Sequence, residues 1–387
     1  MAKITTTLFG ELAIFPREVE APVVETLSFL TDVMESFNGS EQRLQLRSKP
    51  RQTFEYSMPL QAWHMANAFN TEYGALRKRW AVPVWTEAQN VGFVIENATT
   101  IGCNTSLYDL RPNSLAMLYN NFDNWQVVEI ATVGADHIIL INGAKAQADS
   151  FLIPVRLGYV SSNIERITNG HNGKTKVVFE IEDNLELTTA TPSQYLSEDI
   201  YYDASLLSGS SISRSIEKRL DINDFDLGPV ERRSPWKNSR FGTPYNKLIN
   251  NAAEMRQFKD FLHRRAGKFR AFWLPTFEVN MRVKNTGVIA STLVIESDSF
   301  IDYASIRKNI AIQTTSGAWY NRVILNPVQI NSNSVQLTLS SALNIKAKDI
   351  ARVSYLGLNR LDADRIEISW NGAGIAEANF RILELNP

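Results

Sequence analysis

Leu60 to Glu87 reads LQAWHMANAFNTEYGALRKRWAVPVWTE, and Ala252 to Val279 reads AAEMRQFKDFLHRRAGKFRAFWLPTFEV. Shifted by 192 positions without a gap, Trp63 falls on Met255, Ala66 on Phe258, Phe69 on Phe261, Trp80 on Phe272, Pro83 on Pro275 and Trp85 on Phe277. Leu60, Trp63, Ala66, Phe69 and Tyr73 recur at three- to four-residue spacing, as do Ala252, Met255, Phe258, Phe261 and Leu262. That period predicts one amphipathic helix in each stretch. Pro59 is expected near the first helical turn, where its missing N–H costs little. Gly74 and Gly267 are expected as C-caps, and His263, Arg264 and Arg265 suit the negative end of the helix dipole. A compact apolar turn follows each helix. Its Pro83 or Pro275 cannot donate to a ladder, which predicts an edge strand or a bulge.

The correspondence extends outward. Leu115-Ala116-Met117 aligns with Ile310-Ala311-Ile312, Trp125 with Tyr320, and Ile138–Ile141 with Val335–Leu339. Arg166-Ile167 aligns with Arg365-Ile366, Asn169-Gly170 with Asn371-Gly372, and Phe179 with Phe380. The shift drifts to about 202, as small loop insertions would make it. A period of half the chain predicts two tandem homologous units. The first covers 1–190, with a β-domain over about 90–185; the second covers 211–387, with a β-domain over about 284–387. Residues 191–210 are expected to link them, since Thr188, Thr189, Thr191, Ser193 and Ser208-Gly209-Ser210 are polar and flexible. Ser211 to Asp226 is charged and reads as an arm.

Arg43 to Met58 opens the first unit, with Phe54 and Tyr56 alternating with polar neighbours as in a half-buried strand. Glu231 to Leu248 opens the second. Short strands with turn signals fill the rest: Gln126–Ala131, Val155–Tyr159 and Val177–Ile181, then Arg322–Leu325, Ala351–Tyr355, Ile366–Trp370 and Ala378–Leu383. The predicted class is mainly β, as β-sandwich or barrel-like units with one amphipathic helix each.

The 387 residues are 44% hydrophobic and 21% charged, so the chain is globular and long enough for several cores. The formal net charge is -1, which argues against direct sequence-specific nucleic-acid binding as the main role. The single cysteine, Cys103, permits no internal disulfide and no Cys-based zinc cluster. A reducing cytoplasm is therefore expected as the place of synthesis and assembly. Met1 to Phe15 lacks the pattern of a signal peptide, and no apolar run reaches membrane-spanning length.

Few residues point to chemistry. His64, His137, His171 and His263 form no H-x-x-x-H spacing. Neither a nucleophile elbow nor a phosphate-binding loop is present, and Asn371-Gly372-Ala373-Gly374 reads as a hairpin turn. Asp298, Asp302, Glu296, Glu180, Glu182 and Asp183 are carboxylates a glycosidase would pair, though alternation places such acids on a solvated face. Asn359, Asp362 and Asp364 resemble a calcium loop but lack the glycine and terminal glutamate of an EF-hand. No catalytic residue, metal or cofactor is expected. The informative signal is aromatic: Trp80, Pro83, Trp85, Phe261, Phe272, Trp273, Pro275 and Phe277 cluster around the two turns with Arg264 and Arg265 nearby. Core packing accounts for most of them. The functional reading is an anchoring surface for neighbouring subunits, because aromatics and arginines dominate interface energetics.

The helix running through Phe258 and Phe261 into Gly267, then Phe272-Trp273-Leu274-Pro275, resembles the distal tail proteins of tailed phages. The first unit carries a weaker version, with Trp80 and Pro83 kept and Val82 for the leucine. The match spans roughly thirty residues in each half. The resemblance implies a virion protein that is not an enzyme: a β-sandwich adaptor ring at the tail tip or baseplate, assembled in the host cytoplasm. Its partners would be the tail tube, the hub, the tape measure or the receptor-binding proteins. The family pattern has one such unit, whereas two are read here, so both a trimer with pseudo-sixfold symmetry and a hexamer stay open. A host-surface or carbohydrate-binding tail module is the second reading, with Trp125 and Tyr320 stacking on sugar rings. A cell-wall hydrolase is the third.

Overall fold

The computed structural model describes residues 2–61, 73–185, 187, 190–203, 213–236, 238–297, 299–304, 306–372 and 374–385. In the first half the strands that matter most are Glu20–Ser28 (β1), Arg51–Gln61 (β2), Trp80–Pro83 (β3), Gln147–Val160 (β4), Glu165–Thr168 (β5) and Asn172–Ile181 (β6). In the second they are Ser215–Glu217 (β7), Arg240–Ile249 (β8), Phe272–Pro275 (β9), Ile350–Leu361 (β10), Arg365–Gly372 (β11) and Ile375–Glu384 (β12), with the helix Ala252–Arg265 (α1) between β8 and β9. The chain is mainly β and its large sheets are antiparallel.

Eight strands hydrogen-bond side by side in the order β5–β6–β2–β1–β11–β12–β8–β7, every neighbour antiparallel. Strict alternation gives this sheet one apolar face. Phe54, Tyr56, Met58 and Leu60 of β2 are buried, while Arg51, Pro59 and Gln61 are exposed. Helix α1 covers the apolar face with Met255, Phe258 and Leu262. The Asn251 side chain caps it by accepting the Glu254 N–H at 2.9 Å, and Ala266 ends it in the left-handed conformation. Gly267 follows at φ 69°, and a Cβ there would meet the Asp364 carboxylate at 2.2 Å. Val23, Leu27 and Tyr56 of the first half share one core with Tyr245, Phe272 and Trp370 of the second.

Strand pairs recur between the halves. Along β1 and β2, Ser28 faces Arg51 and Leu27 faces Gln52; along β7 and β8, Glu217 faces Arg240 and Ile216 faces Phe241. The two ladders are related by a shift of 189. Tyr56 opposite Val177 is matched by Tyr245 opposite Phe380, and Arg166 opposite Thr175 by Ile368 opposite Ala378. Each half also carries a satellite of strands: Ala98–Gly102, Ser114–Asn121, Asn124–Val133 and His137–Ala144 in one, Thr292–Glu296, Asn309–Thr314, Trp319–Asn331 and Ser334–Leu339 in the other. A bulge between Ile130 and Thr132 has its counterpart between Ile324 and Asn326.

Several sequence expectations change. Ala116 and Leu118 fill one satellite core, and Ile310 and Ile312 the other. The shift there is 194, not 195, and a slip of one residue turns every side chain to the other face. Trp125 therefore corresponds to Trp319, not Tyr320, and for the same reason Phe380 matches Val177, not Phe179. Pro59 and Leu60 belong to β2, opposite Lys174 and Gly173. The helix expected in the first unit falls mostly on 62–72, outside the described residues; Gly74 lies within a helical stretch, 73–75, and is not a cap. Neither β3 nor β9 is an edge strand. β3 pairs with β4 on one side and in parallel with Gly10–Ile14 on the other, and β9 pairs with β10 and in parallel with Glu198–Ile200. Each proline ends its strand. Residues 194–203 are no free linker, since Ile200 is buried against Trp273 and Ala311; 204–212 lie outside the described residues.

Phe272 is fully buried in the shared core. Phe272→Ala is expected to cost about 3–5 kcal/mol, read as a lower urea midpoint with little change in slope. Phe93→Ala, at an exposed position, should shift stability by no more than about 0.5 kcal/mol.

Candidate assembly site

Of the aromatic and arginine residues singled out in the sequence, Trp80, Phe272, Trp273 and Arg265 are buried and Trp85, Phe261, Phe277 and Arg264 half-buried. Trp80 stacks on Phe15 at 4.9 Å, and its Nε1 donates to the Ala75 carbonyl at 3.0 Å. Phe272 meets Phe261 edge-on at 5.3 Å, and Trp273 meets Tyr195 at 5.5 Å. Trp85 packs on Tyr119 at 5.0 Å and Phe277 on Trp319 at 5.9 Å, both half-buried. Pro83 and Pro275 are buried. Arg264 clasps Asp199 with bonds of 2.7 and 3.1 Å, and the buried Arg265 pairs with the same carboxylate. Burial alone would raise the Asp199 carboxyl, but hydrogen bonds from Arg264 and Gln194 and the charge of Arg265 hold it down to about 2. Arg264 and Arg265 thereby lock residues 198–200 onto β9.

Trp125 and Tyr320 are half-buried against two different cores, so they line no common site. The carboxylates considered for hydrolysis are mostly engaged by cations: Glu180 near Arg51, Glu182 with Arg79, Asp183 with Arg111 and Glu296 with Arg282. Asp298 and His64 lie outside the described residues. Asp364 accepts the N–H groups of Thr31 and Lys268, and Asp362 pairs with Arg360 and Arg381, as a turn would have it. Among the described residues no group of three or more His, Cys, Asp or Glu is placed to hold a metal ion. No described helix is long and apolar enough to cross a membrane.

The halves meet at a seam. Strand β1 pairs with β11 from Val23 opposite Trp370 to Ser28 opposite Arg365. Below it α1 of the second half presses a lysine onto the first. Lys259 Nζ lies 3.0 Å from Glu25 Oε1 and 3.0 Å from Glu87 Oε1. The fully buried Glu25 also accepts from Trp370 Nε1 at 3.1 Å and from Gln52 Nε2 at 2.7 Å. Burial by itself would lower the pKa of Lys259; the charges of Glu25 and Glu87 outweigh it and raise it. A cavity of about 320 Å³ opens beside this triad, lined in part by Tyr108, Arg256 and His263. A second contact crosses the seam above. The first-half hairpin Thr31–Glu35 to Glu41–Gln45 sets Glu41 against Arg240 at 3.2 Å and Arg360 at 2.8 Å.

The sequence reading missed Glu25, Glu87 and Lys259. One signal was available: Lys259 occupies the inner stripe of α1, four residues after Met255 and three before Leu262. No family model matches the chain, and no curated protein is significantly similar to it.

Lys259→Met leaves Glu25 and Glu87 buried without their cation and is expected to cost about 3–5 kcal/mol by urea denaturation. A pH effect is expected from His263. Burial, with the charges of Lys259 and Arg256, pushes its pKa down from 6.5 to about 4. The unfolded chain binds that proton first, so stability should fall by up to about 3 kcal/mol as pH drops from 6.5 to 4. His263→Gln should flatten that part of a stability-against-pH curve.

Proposed function

We propose that this chain is a structural component of a phage tail tip or baseplate, in which copies join into an adaptor ring between the tail tube and the hub or receptor-binding parts. The reading includes a tandem duplication: two copies of one four-stranded unit, β5–β6–β2–β1 and β11–β12–β8–β7, each with its satellite.

The observation that carries this is the seam. The last strand of the first half-sheet pairs with the first strand of the second, which under this reading sets like units head to tail within one chain. Head-to-tail contacts between like units generate rings when their rotation closes. The sheet's outer face fits the wall of a water-filled bore. It is hydrophilic and laced with ion pairs of both signs, Lys176 with Glu55 at 2.8 Å and Arg365 with Glu367 at 2.7 Å among them. The phage assignment draws on the resemblance of Phe258 to Pro275 to distal tail proteins. The sugar-binding reading gains nothing from Trp125 and Tyr320, which lean into separate cores.

Light scattering after size exclusion, followed by class averages of the particles, tests the reading. A closed ring of three or six chains is expected, and three chains would present six half-sheets. A chain that stays monomeric at high concentration would overturn the ring and favour a peripheral binding module.

A further inference from the structure

We infer that the two outer edges of the eight-stranded sheet are the two halves of a second seam, and that β7 of one chain pairs antiparallel with β5 of the next. The inference rests on the duplicated-unit ring proposed above and adds to it which strands close the ring and in what register.

Within the chain, the seam joins β1 to β11. In the recurring order of pairs, β7 stands where β1 stands and β5 stands where β11 stands. The two outer edges are thus the same two surfaces that meet at the seam, and among the described residues neither carries a further strand. The register carries over. Leu27 faces Ile366 at the seam, and both are buried. Shifts of 189 and 202 turn this pair into Ile216 facing Ile164 of the next chain, and Thr26 facing Glu367 into Ser215 facing Glu165. Ile216 is 67% exposed in the single chain. Unpaired edge backbone beside an exposed apolar side chain is a liability that proteins cover.

The adjoining hairpins agree. The hairpin after β1 lies on the second half through Glu41, Arg240 and Arg360. The matching hairpin after β7, Asp221–Asn223 with Glu231–Arg233, carries Phe225 and Leu227 at 78% and 97% exposure. Seated on the first half of a second copy, those side chains would be covered as the first hairpin is. A second copy is therefore the occupant that this edge fits.

Two cysteines test the register. Ser215→Cys with Glu165→Cys, in a Cys103→Ser background, places thiols on opposite edges of one sheet. Seven strand spacings, roughly 30 Å, separate them within a chain. Across an antiparallel pair they would stand about 5 Å apart, within disulfide reach. Oxidation with diamide is expected to give a ladder of covalent multimers ending at the ring's own mass, while either single variant gives dimers at most. Ile216→Asp should abolish the assembled species and leave the circular dichroism of the chain unchanged. A ring by light scattering that yields no 215–165 ladder and survives Ile216→Asp would overturn this pairing and leave the ring reading standing. A monomer under all conditions would overturn both.

Discussion

Backbone pairing between β1 and β11 is the constraint on which the rest depends. It joins strands more than three hundred residues apart in sequence and makes one sheet out of two. A seam of that kind demands that everything beneath it fit both halves at once. Here it is met by a core with side chains from both, and by Lys259 reaching across to Glu25 and Glu87. Burying three charges is costly, and an apolar trio of the same shape would often be no less stable. What the triad adds is position: only one seating of α1 brings the ammonium within 3.0 Å of both carboxylates while Trp370 and Gln52 complete the hydrogen bonding of Glu25.

The arginines serve the same purpose further out. Asp199 is held by Arg264 and Arg265, and through it residues 198–200 are pinned in parallel to β9. Glu41 is held by Arg240 and Arg360, which pins the first hairpin to the second half. In each case a planar guanidinium, able to donate in two directions, spans pieces of chain that backbone pairing alone would leave loosely placed.

Most of the strands were legible because alternation survives in any half-buried strand. Phe54 and Tyr56, and the runs around Val177, Ile366 and Ala378, mark their strands plainly. The residues of the two apolar turns were also found, with core packing read for most of them; which would be buried was not legible, because a buried Trp80 and an exposed anchoring tryptophan look the same in sequence. The slip from 194 to 195 has a similar origin. Leu115-Ala116-Met117 and Ile310-Ala311-Ile312 are apolar at every position, because these strands are covered on both faces, so composition could not choose the register. Pairing could, since Ala116 opposite Pro154 and Ile310 opposite Tyr355 stand at the same rung. The Glu25 triad was hidden for a plainer reason. Its members come from β1, the turn at Trp85–Glu87 and α1, and no local pattern records which distant carboxylate a buried lysine will meet.

The same pattern of pairs explains why the two ends of the sheet differ from ordinary edges. Proteins blunt an exposed strand by shortening it, twisting it or charging it. At β7 the strand is short, but Ile216 faces water, and the hairpin beyond it bears Phe225 and Leu227. At the head of β5 Ile164 is only partly buried. Apolar side chains gain nothing there in a chain that stays alone. In a chain whose two ends are complementary, each would be buried by the other, as Leu27 and Ile366 are at the seam. An interface of that kind is heterologous and has no internal stop, so it must either close or grow without limit. Closure needs a constant rotation per unit, and in the proposed duplication the β1–β11 seam would set that rotation before any second chain arrives.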